Sequence, residues 1–299
     1  VKKKRGSGAR MKTLRRSQAI YEMSASNKPA VEVDAGETVG FLTEDAYSGT
    51  IKTARDVYPA SMAGRANPAT GPVYVRGAKP GDVVAVEILS VEPVGRATMF
   101  TGPGKGPLGH KLAEDKTGKF TIRGGFVHFG KRRIPVGAMI GVIGVAPAGE
   151  PIGNAWPGEH GGNMDCNCIT EGATVYLPVA VDGALLALGD VHAAQAAGEV
   201  AICAAETKGE VTARVGIAKE GMITPAVESK RDIFLIASAR TLDEAEGMVL
   251  DKAFRYLTEI RGMEGHEAVR LLGLVGDLEI CQVVDPLKTM RVRLPKRYL

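Results

Sequence analysis

Between about residues 29 and 218, short apolar or alternating runs are punctuated by glycine-marked turns, the pattern of an all-β sandwich or barrel. The runs at 31–33, 39–42, 83–91, 139–145, 175–181 and 184–188 are the clearest strands. Asp182-Gly183, between the last two, predicts a hairpin because both central residues of a type I′ turn need positive φ. Lys208-Gly209 predicts a similar turn between 200–206 and 211–217.

After about Thr224 the period lengthens. Thr241-Leu-Asp-Glu244 has the form of a capping box, and Ala245, Met248, Val249, Ala253, Tyr256, Leu257 and Ile260 follow on one helical face. This predicts a helix to about Arg261, a second helix over 267–274 and a strand over 279–284. The fold class that follows is mainly β, a β-sandwich or barrel, with a smaller C-terminal α+β part. The expected boundaries are a β-rich domain at 17–224, an α+β domain at 225–299 and a basic tail at 1–16. Within that tail, residues 1–10 are expected to be appended sequence ahead of an initiator Met11.

Composition narrows the function classes. The 299 residues are 44% hydrophobic and 24% charged, values of a globular chain rather than a disordered or fibrous one. The net charge of +4 is misleading, because the stretches 1–16 and 286–299 hold thirteen cations and no acid, leaving −9 for the body. Nucleic-acid binding wants basic residues gathered on a folded face, so no nucleic-acid partner is expected. No stretch approaches the roughly 20 apolar residues of a membrane helix, and no apolar signal core follows the basic start. A cytoplasmic protein without a membrane partner is the expectation. Cys166, Cys168, Cys203 and Cys281 form no C-x-x-C pair and are too sparse for a disulfide framework.

Several motifs fail on inspection. Gly104-Lys-Gly106-Pro-Leu-Gly109 has the letters of a dinucleotide fingerprint, but Pro103 and Pro107 make it a loop where the mechanism needs a helix start. His266-Glu267 lacks a second zincin histidine, and there is no G-x-S-x-G elbow. What remains is a set of metal-competent and proton-transfer side chains in glycine-rich segments at strand ends: Thr43 to Gly49 with Asp45, Gly158 to Asp165 with His160 and Asn163, and Gly189 to Glu199 with Asp190, His192 and Gln195. If the strand at 184–188 stays extended, Asp190 and His192 share a face; if a helical turn follows, His192, Gln195 and Glu199 do. Neutral imidazole and carboxylate oxygens are ordinary ligands of a catalytic zinc.

Four stretches then carry a resemblance: Asn67 to Asp82, Gly161-Gly-Asn-Met-Asp165, Gly189-Asp-Val-His-Ala-Ala-Gln195 and Gln282-Val-Val-Asp-Pro286. Together, in this order, they resemble the acetamidase/formamidase family over nearly the whole chain from about Val31. The resemblance implies a β-rich fold with a smaller α+β part, homo-oligomers (dimer or tetramer), and hydrolysis of short amides such as formamide or acetamide to the acid and ammonia. It also implies a divalent metal near the histidine and aspartate motifs. The chain departs from the family at Gln195-Ala-Ala-Gly-Glu199, where many members have Gln-Gly-Asp-Gly-Glu, so one acidic group is absent.

On these grounds the chain is read as a metal-dependent amidohydrolase in which a metal-activated water attacks a small amide substrate. The metal candidates are His192, Asp165, His160 and Asp45, with zinc as the cation and calcium as an additional structural ion. Glu199 is the general base and acid, and Asn163 donates to the developing oxyanion. Asp190 and Gln195 support the ligands from behind, and Trp156 lines the substrate site. Two alternatives stand beside this: a cysteine-nucleophile amidase using Cys166, with Cys168 next to it, and a non-catalytic β-sandwich module that binds a ligand.

Overall fold

The computed structural model describes residues 11–57, 64–219 and 221–299; the expected tail at 1–10 lies outside them. The protein is mainly β, a curled and largely antiparallel sheet with a small C-terminal helical part. Its centre is strand Glu206–Ile217, which pairs antiparallel with Glu37–Thr43 on one side and with the 19-residue strand Val83–Thr101 on the other. The run predicted at 83–91 continues past Pro93 because Gly95, at φ 88°, bends the strand onward. Val83–Thr101 also pairs with Thr174–Pro178, and Leu186–His192 lies between Met139–Gly144 and Ala69–Arg76.

The principal core is filled by the inward rows of these strands, including Phe41, Val73, Ile88, Ile143, Leu177 and Leu188, all fully buried. Each such side chain contributes about 1.5–3 kcal/mol of transfer free energy. Met139–Gly144 and Leu186–His192 are buried at every position, so both of their faces meet protein. Their near-continuous apolar runs are the mark of such strands.

Two hairpin expectations are corrected. The strands flanking Asp182-Gly183 do not pair with each other: Thr174–Pro178 pairs with Val83–Thr101 and Ala226–Glu228, while Leu186–His192 pairs elsewhere. Residues 182–185 form a turn in which Ala184 and Leu185 are left-handed, at φ 60° and 56°, and the chain is redirected instead of folded back. Lys208-Gly209 is no turn at all and lies inside Glu206–Ile217. A Cβ on Gly209 would come within 2.5 Å of Val191, so this glycine serves close strand approach.

The sheet runs across the expected boundary near 224, since Thr174–Pro178 pairs with Ala226–Glu228, which leads on to Asp232–Ala239 and Lys288–Pro295. Helix α1, Leu242–Arg255, packs on the last two of these and continues as a wider turn over Tyr256–Ile260. Its capping box is present as predicted, with the Thr241 hydroxyl accepting from the Glu244 amide at 3.1 Å. Ala245, Val249, Ala253, Tyr256 and Leu257 are buried, whereas Met248 and Ile260, assigned to the same stripe, are exposed. Helix α2, Gly265–Val275, and strand Asp277–Gln282 complete the layer. No helix among the described residues is long and apolar enough to cross a membrane.

Candidate active site

Strand Leu186–His192 delivers the central side chain. It keeps its sheet pairing to His192 despite a left-handed residue at Asp190, and His192 pairs across the sheet with Glu206, so the imidazole and that carboxylate are neighbours by register. Asp190 shares their side, with Oδ1 at 3.4 Å from His192 Nε2; Glu206 Oε2 lies at 3.0 Å and Asp165 Oδ1 at 3.9 Å. Among the described residues, two groups of three have ligand atoms all within 4.8 Å of one another: Asp165, His192 and Glu199, and Asp190, His192 and Glu206. All five side chains are buried.

Hydrogen bonds fix how the imidazole is presented. Gln195 Nε2 donates to the Asp165 carbonyl at 2.7 Å, which turns Gln195 Oε1 toward His192 Nδ1 at 2.8 Å. An amide oxygen only accepts, so Nδ1 carries the proton and Nε2 is directed at the carboxylates. Glu206 is aligned in the same way, because its Oε1 accepts from the Ala204 amide at 2.7 Å and leaves Oε2 for the centre.

The backbone is shaped to bring acids together. Asp165, Asp190 and Glu199 are all left-handed, at φ 46°, 56° and 42°, a conformation that costs non-glycine residues about 1 kcal/mol or more and is concentrated at functional sites. Gly141 leaves the space they need: a Cβ there would lie 2.5 Å from Asp165 Oδ1 and 2.7 Å from Asp190 Oδ2. The loop carrying Glu199 is tied to the C-terminal layer, since the Gly198 amide donates to the Cys281 carbonyl and the Val283 amide to the Gly198 carbonyl. Gln282 folds the following turn by accepting from the amides of Val284 and Asp285.

Electrostatics express the crowding. Burial pushes Asp165 and Glu199 well above the usual carboxylate range; the Asp285 charge adds to this for Asp165, and the Asp165 charge for Glu199. Burial also lifts Glu206, to about 7. His192 goes the other way from most buried histidines: burial disfavours its charge, but Glu206 and Asp190 outweigh that and raise it well above its ordinary value. Oxygens Asp165 Oδ1, Asp190 Oδ1, Glu199 Oε2 and Glu206 Oε2, together with His192 Nε2, are buried without a hydrogen-bond partner. Protons or a cation among them would relieve so many buried acceptors around one nitrogen, and one imidazole with several carboxylates is a donor set that could hold a divalent metal.

A cavity of about 220 Å³ opens on this cluster, lined by Asn163, Asp165, Asp190, Glu199, Glu206 and Asp285 among others. Of the side chains singled out from the sequence, His192, Asp165, Asp190, Glu199, Gln195 and Asn163 are brought to the cluster or its cavity. Asp190, expected behind the imidazole, faces Nε2, and Gln195 alone takes the Nδ1 side. Asn163 Nδ2 donates to Asp285 Oδ2 at 2.9 Å, which commits one of its two amide protons to an acid.

Three residues are not brought there. Asp45 belongs to neither group of three; its Oδ1 accepts from the amides of Tyr47 and Gly49, so the carboxylate closes a local turn. His160 sits just before Gly161 and Gly162, which turn the chain with φ 89° and 79°. It lines a separate, apolar cavity with Val145, Pro178 and Leu287, and burial lowers its pKa to about 4. Trp156 borders that same cavity, not the carboxylate one.

Glu206, Asp285 and Lys105 were missed as site residues. Asp285 stands in the Gln282-to-Pro286 motif, which was a usable signal. Glu206 ended a predicted strand, and only cross-strand register reveals its position. Lys105 comes from the rejected glycine loop, where Gly106 allows close approach to the backbone of Val200 to Ile202 and the lysine reaches the cavity.

The comparisons with known proteins identify a family. The profile described as the acetamidase/formamidase family matches residues 25–156 and 148–251. The chain belongs to the acetamidase/formamidase family. A putative formamidase of Schizosaccharomyces pombe is 29% identical over 264 residues, covering 67% of this chain and 64% of that protein. This chain therefore spans slightly less than two thirds of that curated relative. Among solved structures, an acetamidase from Bacillus halodurans matches with a TM-score of 0.93 and 42% identity, over 96% of this chain and 98% of the other. A recombinant predicted acetamidase/formamidase from Thermoanaerobacter tengcongensis matches with a TM-score of 0.93 and 39% identity, over 97% of each.

Proposed function

We propose that this family member hydrolyses the C–N bond of small amides to a carboxylate and ammonia, with a divalent cation at the His192 cluster. The observation that carries the reading is His192 Nε2, held by Gln195 with its open nitrogen toward Asp190 and Glu206 at 3.4 and 3.0 Å. His192, Asp190 and Glu206 would hold the cation, with Asp165 in reach. Imidazole among the donors favours zinc over calcium, which takes oxygen ligands. A bound zinc supplies two things that amide hydrolysis needs, a lowered pKa for water and a polarised carbonyl.

The remaining steps fall to the chain. Glu199 Oε2, buried and without a partner, takes a proton from the attacking water and returns it to the departing nitrogen. Its burial holds the carboxyl near the neutral form between those events, which makes it a ready donor to a poor leaving group. Asn163 and Lys105 border the cavity as hydrogen-bond donors for the carbonyl oxygen and the carboxylate product.

The cysteine alternative has one supporting feature. Burial alone would raise the Cys166 thiol, but contacts with Cys168, Cys281 and Arg291 outweigh it and bring the thiol well down. Its Sγ lies 3.1 Å from Cys168 Sγ and is fully buried, and Cys166 does not line the carboxylate cavity. The test is metal analysis of the purified protein with ammonia release from formamide and acetamide before and after chelation. Turnover lost on chelation and restored by zinc is the expected result. Undiminished turnover in metal-free protein, lost in Cys166→Ala, would transfer the reaction to the thiol.

A further inference from the structure

Formamide carries no carbon substituent and acetamide only a methyl, yet a second and larger cavity opens beside the cluster. It holds about 430 Å³. Met99, Phe120, Val127, Phe129, Ile134 and Pro135 form much of its wall, and apart from Gln195 and Glu199 every residue lining it is hydrocarbon, thioether, thiol or glycine. Glu199 and Cys203 border both cavities, so the apolar space adjoins the polar one across the carboxylate assigned to proton transfer. Alanines 194, 196, 201, 204 and 205 leave that space open.

We infer that the apolar cavity is an acyl-side pocket, and that the preferred substrate is an uncharged primary amide whose acyl carbon bears an aromatic hydrocarbon group, of the phenylacetamide class. The inference rests on the amidase reading and names the substrate for that same site. The argument is one of complementary surfaces. A carboxamide is satisfied only on the cluster side, where donors and acceptors are, whereas a ring left in water forfeits the apolar area this wall offers. Burying one methylene is worth about 0.8 kcal/mol, so a ring of six carbons gains far more here than an acetyl methyl can. Cavities of roughly 300–1,000 Å³ with mostly apolar walls and a few convergent polar groups are the usual form of small-molecule sites. An anionic acyl group is disfavoured, because no cationic side chain lines the wall and neither Gln195 nor Glu199 could neutralise it.

The test compares acetamide with phenylacetamide on the zinc-loaded protein. Phenylacetamide should show kcat/KM at least about tenfold higher, the lower end of what a single apolar contact contributes to discrimination. Ala201→Trp fills the cavity and should raise KM for phenylacetamide at least about tenfold while leaving acetamide within about twofold. Ile134→Glu, on a rim position 41% exposed and safe for folding, should weaken phenylacetamide in the same selective way. Acetamide turned over better than phenylacetamide, or both substrates changing together in the two variants, would overturn the pocket and leave the amidase reading intact. A change in association state in both variants, with the substrate profile unmoved, would overturn it in favour of a second copy covering this face. Should neither amide be hydrolysed, calorimetric binding of phenylacetamide, lost in Ala201→Trp, decides the pocket separately from the reaction.

Discussion

The two halves of the site's surroundings obey opposite rules. In the C-terminal layer, local preference and tertiary structure largely agree: Thr241 caps α1, most of its apolar stripe is buried, and even the buried Lys252 is answered, by Glu159 at 2.8 Å and by the carbonyls of Thr224 and Ile236. Around His192 they disagree, with three left-handed acids, unpaired buried oxygens and a carboxyl raised to about 7. Such departures from local consistency mark the place where stability is spent on function. The difference teaches where to look in a chain whose overall sheet gives no hint, and it predicts that the two regions fail in different currencies.

Leu257→Ala in the consistent layer removes a fully buried side chain and should cost about 2–5 kcal/mol of stability in chemical denaturation, with kcat/KM of the folded protein unchanged. In the strained region, Gly141→Ala should do the converse: its Cβ forces Asp165 and Asp190 apart, lowering kcat/KM on the order of 100-fold while the unfolding midpoint moves little. Activity loss in the first variant, or equal stability loss in both, would break the contrast.

A pH series sharpens it. Glu206 titrates at about 7 when folded against 4.5 in the ordinary range, so the folded state of metal-free protein binds the extra proton. Its contribution is fully present below about 4.5 and fades as pH rises through about 7, a loss of at most a few kcal/mol. Melting temperature of chelated protein should therefore fall across that window, and zinc should reverse the fall near pH 7 by stabilising the carboxylate form. A flat profile with and without zinc would mean that the cluster is neutralised some other way. The smallest effect is Thr241→Ala, about 0.5–2 kcal/mol from the lost cap, with metal affinity untouched.

Much of the site was legible because its residues fall in short segments at strand ends. Asp190 and His192 at spacing two, and His192, Gln195 and Glu199 close behind, needed only the direction of one strand. Glu206 and Gly141 were not legible, since each matters through a cross-strand neighbour that local sequence does not name. Asp45 and His160 misled for the reverse reason: their residue types suit a metal, but an Asx turn claims one and a glycine turn sets the other in an apolar cavity.

Local pattern determined what local interactions decide, namely a β-rich chain, a capped C-terminal helix with most of its buried stripe, and the acids and imidazole available for chemistry. Strand order and register belonged to the tertiary structure alone, because hydrogen bonds between strands join residues far apart in the chain and a turn-like Asp-Gly or Lys-Gly pair cannot say which strands become neighbours. That pairing is what sets Glu206 against His192 and draws the turn after Cys281 onto the Glu199 loop, closing the carboxylates around a single nitrogen.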